Sequence, residues 1–553
     1  MNRPLSSRWG QWLDSKDAWT VVLIFCAVFA IYLPVVQGNY LYHDDYYLMA
    51  VGPGGECFQH PQYPAYLYDY YRPVGIHIKC LYSHMFSEPR GANVARGLTL
   101  LAIGAVGWFV HGLLKRLSAP AVPAILTAIL VVTLPPFQTA AAMIANATHV
   151  YGMLLGMAGG CVALKAVGDQ LEIQDSGGAY SASRKAWLLL GSMILFLIAA
   201  ATYQLSAYAF LFPLMLATVF SRAPVRRLIR ALVVAGSALV AGSILYFIAT
   251  RILRAAGAGI LEHPSNRGEI SFDLGSKIEW VMHELLPRSF AFWSIEPSLI
   301  LTSVAVMTGL IVATLYVLLG GEGWRGIPGR ERFQGAGERM IRLLLVTVML
   351  LGTMAPQLVI AKPEFFYRTL ISFQPGLVLW VFSLSVAIIL GTRVRMNVST
   401  GAEPRTVLIR GGLSLVLLAG VAVGGFMAHE SVLNRYVLPQ TLELNWLKNQ
   451  VASKKFRSGD HVHIVRPRTF LVGRTFKDEF GPMTTVFAQD IPFVMMAVTR
   501  QIPGWDPSVQ LKISSGPDAK NYDFPVDWPL NRKLPVPARA HVIDMNKIGL
   551  AFD

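Results

Sequence analysis

Charged residues are scarce in this 553-residue chain, and their scarcity excludes an ordinary soluble protein. They make up 15% of the sequence, whereas soluble domains usually carry about 25%. Hydrophobic residues reach 54%, and apolar runs of roughly 20 residues, long enough to cross a bilayer, recur through the first three quarters of the chain. The composition therefore predicts an α-helical polytopic membrane protein.

Hydropathy predicts about eleven transmembrane helices. The least distinct boundaries between neighbouring helices fall near 137–148 and 202–208. The expected crossings are Thr20–Val36, Val94–Leu114, Val122–Ile144, Val150–Val167, Trp187–Ala201, Leu205–Phe220, Ala231–Ala249, Leu299–Gly320, Leu343–Ile360, Leu370–Leu390 and Leu413–Met427. No cleavable signal is apparent, so we expect the first helix to be retained.

Basic residues outnumber acidic ones, giving a formal net charge of +15, yet no single basic patch suggests nucleic acid binding. If the N-terminus is cytoplasmic, alternate loops hold most of the cations, and the intervening short loops hold almost none apart from Lys362 and Arg368. This positive-inside pattern accounts for much of the charge. With an odd number of crossings, it places residues 429–553 on the outer side.

The chain has only four cysteines, and it has no defined metal-ligand spacing. Cys26 and Cys161 fall inside predicted helices. Cys57 and Cys80 fall in the first outer loop, where an oxidising compartment would permit a disulfide. No cofactor is required by the sequence. A divalent ion such as Mg²⁺ or Mn²⁺ would have to use Asp44 and Asp45.

The sequence divides into two predicted domains. Residues 1–428 form the transmembrane domain, whose first outer loop, 38–93, carries interfacial helices and whose second outer loop is 251–296. Residues 429–553 change period and predict a small outer α/β domain. It would contain a helix at Thr441–Ala452 and strands at His461–Val465 and His541–Met545.

Two adjacent carboxylates follow the first predicted helix. Asp44 and Asp45 lie near the expected outer membrane interface, where acidic residues are candidates for function. His43 precedes them, and Tyr71 and Arg72 return to the same surface within the motif "YYRP". The alternative is a hydrated loop start or a helix cap.

Outer cations near the membrane are few, and Arg72, Lys362 and Arg368 are the strongest candidates for binding a phosphate. For the last two, the alternative is snorkelling at a helix end or a salt bridge to Glu364. Tyr203 and Gln204 lie at an outer turn and could bind sugar hydroxyls, with helix packing as the alternative.

These motifs resemble the GT-C class of membrane glycosyltransferases. The resemblance rests on "HDD" (His43–Asp45), "YYRP" (Tyr70–Pro73), "EFFYR" (Glu364–Arg368) and the architecture of the whole chain. It is nearest to bacterial glucosyltransferases that modify O-antigen, and more distant from the protein mannosyltransferases and the aminoarabinose transferase. Many families of the class have Asp-Glu where this chain has Asp-Asp, so the resemblance indicates the class better than the substrate.

The resemblance implies transfer of a hexose such as glucose from a polyprenyl-phosphate donor to an acceptor glycan, such as O-antigen or lipopolysaccharide, at the periplasmic face of the bacterial inner membrane. Inverting transfer needs a carboxylate base, for which Asp44 is the first candidate and Asp45 its orienting or metal-binding neighbour. Cations would stabilise the departing phosphate. The alternatives are an O-antigen ligase or polymerase, a lipid or sugar transporter (flippase), and a non-catalytic assembly protein. The halves of the chain lack the internal repeat that many transporters have.

Overall fold

A computed structural model describes most of the chain. The described residues are 15–51, 71–117, 119, 121–168, 171, 180–221, 223–257, 271, 273–289, 336–360, 363, 366–381, 403–466, 490–506, 509, 511–516, 526–527, 540–545 and 547. Four parts of the sequence predictions lie outside these residues: the crossing Leu299–Gly320, Cys57, Lys362 and Glu364.

Helices dominate the described chain. Those in the first half are α1 (Ser15–Ile31), α2 (Leu33–Gln37), α3 (Asp44–Val51), α4 (Pro73–Ser83), α5 (Ala92–Arg116), α6 (Ala121–Val132), α7 (Pro135–Ala142), α8 (Ala147–Val167), α9 (Ala182–Thr202), α10 (Gln204–Ala207), α11 (Leu211–Phe220) and α12 (Val225–Ala256). Those in the second half are α13 (Leu274–Trp280), α14 (Leu286–Ser289), α15 (Ala336–Gly352), α16 (Ala355–Val359), α17 (373–381), α18 (Glu403–Val432), α19 (Leu438–Ala452) and α20 (Ile491–Arg500). Short 3₁₀ turns at Pro89–Gly91, Ile144–Asn146, Tyr208–Phe210 and Tyr367–Leu370 and π-helical turns at Val281–Leu285 and Leu433–Val437 complete the helical structure.

The long apolar helices agree with a membrane-embedded protein. Within the described residues, five helical segments are long and apolar enough to cross a bilayer, namely Pro89–Arg116, Ile144–Val167, Ala182–Thr202, Val225–Ala256 and Leu417–Ala452. Helices α6 and α7 would form a sixth span, bent by 57° at the break between them. The sequence-based count of about eleven remains a prediction. The two indistinct boundaries coincide with interruptions of the helices, at Met143 and at Tyr203.

A stripe of glycines on α8 explains how the central helices pack. Gly152, Gly156 and Gly160 recur every four residues, so they share one face of the helix. A Cβ atom at Gly156 would lie 2.5 Å from the carbonyl oxygen of Ala207, and one at Gly160 would overlap the carbonyl oxygen of Phe210. Small residues at this spacing allow the backbones of membrane helices to approach closely, and here they bring α8 against the region that follows Tyr203.

Large apolar side chains are exposed along the outer faces of the helices. Trp187 of α9 is 71% exposed and Val233 of α12 is 66% exposed, as expected for side chains that face lipid. The amphipathic helix α13 likewise exposes Leu274 and Ile278. Its Lys277, however, is buried and donates a hydrogen bond to the carbonyl of Ile360, so this cation anchors α13 to the rest of the protein.

The C-terminal segment contains a four-stranded sheet in the order β3-β2-β1-β4. Strand β1 (His461–Val465) is central and pairs in parallel with β2 (Lys512–Gly516) and β4 (Ala540–Asp544). Strand β3 (Val526–Asp527) is antiparallel to β2. Strands are therefore present where "HVHIV" and "HVIDM" predict them. Helix α19 ends at Ala452 as expected, but it continues from α18 through a π-helical turn.

Helix α20 packs against α3, which joins the C-terminal segment to the membrane-embedded part. Tyr47 of α3 and Phe493 of α20 form an edge-to-face aromatic pair. At the start of α20, Asp490 Oδ2 forms a 2.7 Å hydrogen bond with His43 Nδ1. At its end, Asn39 donates a 3.3 Å hydrogen bond to Gln501, and Arg500 donates a 3.0 Å hydrogen bond to the carbonyl of Ser87. The C-terminal sheet and the helix that begins with the acidic pair therefore lie on the same side of the molecule.

Candidate functional site

Four segments that are far apart in sequence converge near the start of α3. Asp44 begins α3, Arg72 and Lys79 belong to the N-cap and body of α4, Tyr203 and Gln204 join α9 to α10, and Arg368 lies in a 3₁₀ turn. We call Asp44, Arg72, Lys79 and Arg368 the Asp44 cluster.

Asp44 and Lys79 form the centre of this cluster. The Nζ atom of Lys79 lies 4.0 Å from Oδ2 of Asp44, and the side chain of Asp44 is 40% exposed whereas that of Lys79 is 11% exposed. Burial lowers the pKa of Lys79, the charge of Asp44 opposes that change, and the charges of Arg72 and Arg368 lower the pKa further. Three cations thus share the site with one accessible carboxylate. Such an arrangement attracts an anion such as a phosphate.

Arg72 is held in position by Tyr203 and Gln204, the two residues between α9 and α10 that the sequence offered as candidates for sugar binding or for helix packing. Its Nε atom donates to Oε1 of Gln204 at 2.9 Å, and its guanidinium group lies 4.3 Å from the centre of the Tyr203 ring. The Nε2 atom of Gln204 donates to the hydroxyl of Tyr246 at 2.8 Å, which donates to the carbonyl of Tyr71 at 2.6 Å. Tyr203 and Gln204 thus orient the guanidinium group, and Tyr71 takes part through its backbone.

The backbone around Arg72 is constrained. Tyr71 has φ of +55°, a left-handed conformation that a bulky residue rarely adopts and that is often found at functional sites. Three residues after Arg72, Gly75 lies so close to α9 that a Cβ atom there would overlap the carbonyl oxygen of Thr202. The glycine in "RPVG" therefore allows α4 to bring Arg72 against the break between α9 and α10.

Asp45 occupies a different environment from its neighbour. Its side chain is fully buried, and its two oxygens accept hydrogen bonds from the backbone amides of Ala145 at 2.9 Å and Ile144 at 3.2 Å. Burial raises the pKa of Asp45 to about 6, although the charge of Arg96 and the two amides act in the opposite direction. Asp45 thus caps the turn that precedes α8.

His43 also turns away from the accessible carboxylate. Its φ is +44°, its side chain is 2% exposed, and it pairs with Asp490 at the start of α20. Burial raises the pKa of Asp490, while the hydrogen bond from His43 lowers it. The pair therefore connects the acidic motif to the C-terminal segment.

The cysteines and the candidate metal ligands are the remaining features that the sequence singled out. Cys80 in α4 is disulfide-bonded, Cys26 and Cys161 are free, and Cys57 lies outside the described residues. Within the part of the chain that the structure describes, no group of three His, Cys, Asp or Glu side chains is arranged to hold a metal ion. Asp44 and Asp45 therefore have no third ligand there.

Sequence reasoning missed Lys79 and His149. Lys79 follows Arg72 by seven residues, about two helical turns, so the two share a face of α4; this spacing was the available signal. His149 packs its ring against Tyr203 with 3.6 Å between ring centres, and its buried Nδ1 atom has no hydrogen-bond partner among the described residues. No sequence pattern indicated that contact.

Neither a protein-family model nor a curated protein sequence matches this chain. The function must therefore be inferred from the geometry of the Asp44 cluster.

Proposed function

We propose that this protein is an integral-membrane glycosyltransferase. It transfers a hexose such as glucose, with inversion, from a polyprenyl-phosphate donor to an acceptor glycan such as O-antigen or lipopolysaccharide at the periplasmic face of a bacterial inner membrane. The observation that carries the proposal is an accessible carboxylate, Asp44, that lies 4.0 Å from Lys79, a cation whose pKa is lowered by the nearby charges of Arg72 and Arg368.

The base of this reaction would be Asp44. A carboxylate that accepts the proton of the acceptor hydroxyl must be reachable by the acceptor, and the side chain of Asp44 is 40% exposed. Asp45 is fully buried and accepts two backbone hydrogen bonds. The difference in burial supports Asp44 as the base and Asp45 as the residue that fixes its position.

The cations of the cluster would bind the donor phosphate. A phosphate leaving group is already a stable anion, so it needs positive charge more than a proton donor. Arg72 offers a planar set of donors suited to phosphate, and Gln204 and Tyr203 fix its orientation. Lys79 supplies a compact charge that burial leaves poorly hydrated, and Arg368 adds a third.

The position of the C-terminal segment agrees with an outer active site. Helix α20 is bonded to the loop of the acidic pair through His43 and Asp490. Its expected outer location and its folded composition suggest that this segment contributes to acceptor choice.

A lipid or sugar transporter is the second candidate. The observation that favours it is the 57° bend between α6 and α7, because many transporters bind substrates at broken helices. In transporters, however, the ionisable groups usually lie near the middle of the membrane. Here Arg72 and Lys79 belong to the short helix α4 and Arg368 to a 3₁₀ turn, outside the long apolar helices, which favours chemistry at one surface.

The experiment is transfer of radiolabelled sugar in membranes that contain the full chain. A panel of polyprenyl-phosphate sugars is tested with an isolated glycan acceptor, and wild type is compared with Asp44→Asn. Glu279→Gln, which changes an exposed acid on α13, is the matched control. We expect one donor to be used, the control to be fully active, and Asp44→Asn to lose activity by about 10²–10⁴-fold.

Two results would contradict the proposal. If wild type uses no donor of the panel while it moves a lipid-linked sugar across vesicle membranes, the protein is a transporter. If Asp44→Asn transfers sugar as rapidly as wild type, the carboxylate of Asp44 is not the base.

A further inference from the structure

A second polar site lies between the membrane-embedded part and the C-terminal segment. It is a cleft of about 510 Å³, within the usual size range of small-molecule sites, roughly 300–1,000 Å³. Its walls come from the end of α2, the start of α5, helix α19 and the residues that follow α20. None of its lining residues belongs to the Asp44 cluster.

The cleft carries an excess of positive charge. Arg90, Lys448 and Arg500 line it together with a single acid, Glu88. Across the described part of the chain, none of these three cations forms an ion pair, and Arg500 is bonded only to the carbonyl of Ser87. Three cations and one acid give the cleft a net positive charge, which favours an anionic ligand.

The remaining polar groups are amides. The side chains of Gln37, Asn39, Asn93 and Gln501 also line the cleft. Asn39 donates to Gln501 at 3.3 Å, while the carbonyl oxygen of the Asn39 side chain is buried and has no donor among the described residues. An unpaired buried acceptor is costly, and it needs an O–H or N–H group. A sugar hydroxyl supplies such a donor.

We propose that this cleft binds a phosphorylated saccharide. The phosphate lies against Arg90, Lys448 and Arg500, and the hydroxyls of the sugar exchange hydrogen bonds with the amides, which offer both donors and acceptors. The ligand reaches the cleft either as a soluble sugar phosphate or glycan, or as the phosphorylated sugar headgroup of a lipid. The binding does not depend on the proposed transfer reaction.

The test is direct binding to the purified full chain in neutral detergent, measured by calorimetry. Glucose 6-phosphate is the probe, and glucose and inorganic phosphate are titrated separately for comparison. We expect glucose 6-phosphate to bind more tightly than either half. Lys448→Gln should weaken its binding about tenfold, whereas Lys455→Gln, which removes an exposed charge beyond the end of α19, should leave binding unchanged.

The substitution Asn39→Ala tests binding of the sugar separately from binding of the phosphate. It should weaken binding of glucose 6-phosphate and leave binding of inorganic phosphate unaltered, because only the sugar uses the amide. Equal affinities for inorganic phosphate and glucose 6-phosphate would overturn the proposal and leave a simple anion site. Unchanged binding in Lys448→Gln would also overturn it.

Competition by an ordinary phospholipid headgroup is tested in nanodiscs. The chain is placed in phosphatidylcholine, with or without phosphatidylglycerol, and titrated with glucose 6-phosphate. Equal binding in both lipids supports a saccharide ligand. If phosphatidylglycerol abolishes the binding, the cleft holds an ordinary phospholipid headgroup and the saccharide proposal is wrong. Sugar transfer is not measured in any of these assays, so their failure is distinct from failure of the proposed function.

Discussion

The substitution Asp45→Asn tests whether the two adjacent carboxylates have separate tasks. Asn keeps one side-chain oxygen but replaces the other with an amide nitrogen, which cannot accept a hydrogen bond. One of the backbone amides of Ile144 and Ala145 then loses its acceptor inside the protein. An unpaired buried donor costs about 1–3 kcal/mol, and this loss applies at every pH.

The same substitution has a second effect, which depends on pH and raises the stability of the variant relative to wild type. Burial raises the pKa of Asp45 from 3.8 to about 6, so the folded chain binds this proton more tightly than the unfolded chain. Its contribution to stability is therefore complete below about pH 4 and is lost as the pH rises through about 6. This shift of the pKa corresponds to about 3 kcal/mol of stability. The wild type loses that stability as the pH rises, whereas the Asp45→Asn variant does not, because Asn remains neutral.

The expected result is a stability difference that narrows with rising pH. Asp45→Asn should unfold at a lower temperature than wild type near pH 4.5, and the gap should close near pH 8, as measured by thermal unfolding in detergent. Asp44→Asn is the matched control, because its partly exposed side chain should alter stability by less than about 0.5 kcal/mol.

Sugar transfer near pH 8, where the stabilities are similar, completes the comparison. We expect Asp45→Asn to retain activity within about tenfold and Asp44→Asn to lose about 10²-fold or more. If the difference in unfolding temperature between Asp45→Asn and wild type does not change with pH, the raised pKa of Asp45 does not contribute to stability as argued. A folded Asp45→Asn variant with no activity, beside an active Asp44→Asn variant, would reverse the two assignments.

Three further substitutions test other parts of the structure. Lys79→Met should reduce sugar transfer at least about tenfold by removing a cation of the Asp44 cluster, and Lys79→Arg should restore part of it; equal activity of both variants would argue against phosphate binding. Gly75→Ala should lower activity because its new methyl group displaces α4 and Arg72 from Thr202, whereas Gly97→Ala, which meets open space, should not. Gly160→Ala should destabilise the protein in thermal unfolding by about 1–3 kcal/mol, because α8 can no longer approach Phe210. Gly191→Ala, also in open space, is its control, and equal stability of the two variants would contradict the packing described here.

The sequence was sufficient where local pattern decides structure. Composition and hydropathy indicated a helical membrane protein because the bilayer restricts the chain to long apolar helices. Alternation of apolar residues placed β1 at His461–Val465, and a motif of adjacent charges drew attention to Asp44. The helix interruptions near Met143 and Tyr203 fell where the predicted boundaries were least distinct.

The same patterns could not say which residues meet. Asp44 and Asp45 are identical in chemistry and adjacent in sequence, yet one is accessible and the other is fully buried, because consecutive residues of a helix point in different directions. For Tyr203 and Gln204 the sequence left sugar binding and helix packing as alternatives, and only the fold shows that both residues contact Arg72.

The sequence by itself thus determined that the protein is helical and membrane-embedded, and which chemical groups are available to the candidate site. The tertiary structure decided the site, because burial, hydrogen bonding and charge depend on segments that are far apart in the chain. The close approach of α4 to Thr202, possible only at glycine, brings Arg72 to Gln204, and in the same helix Lys79 lies 4.0 Å from Asp44. Distances of that kind are properties of the folded protein.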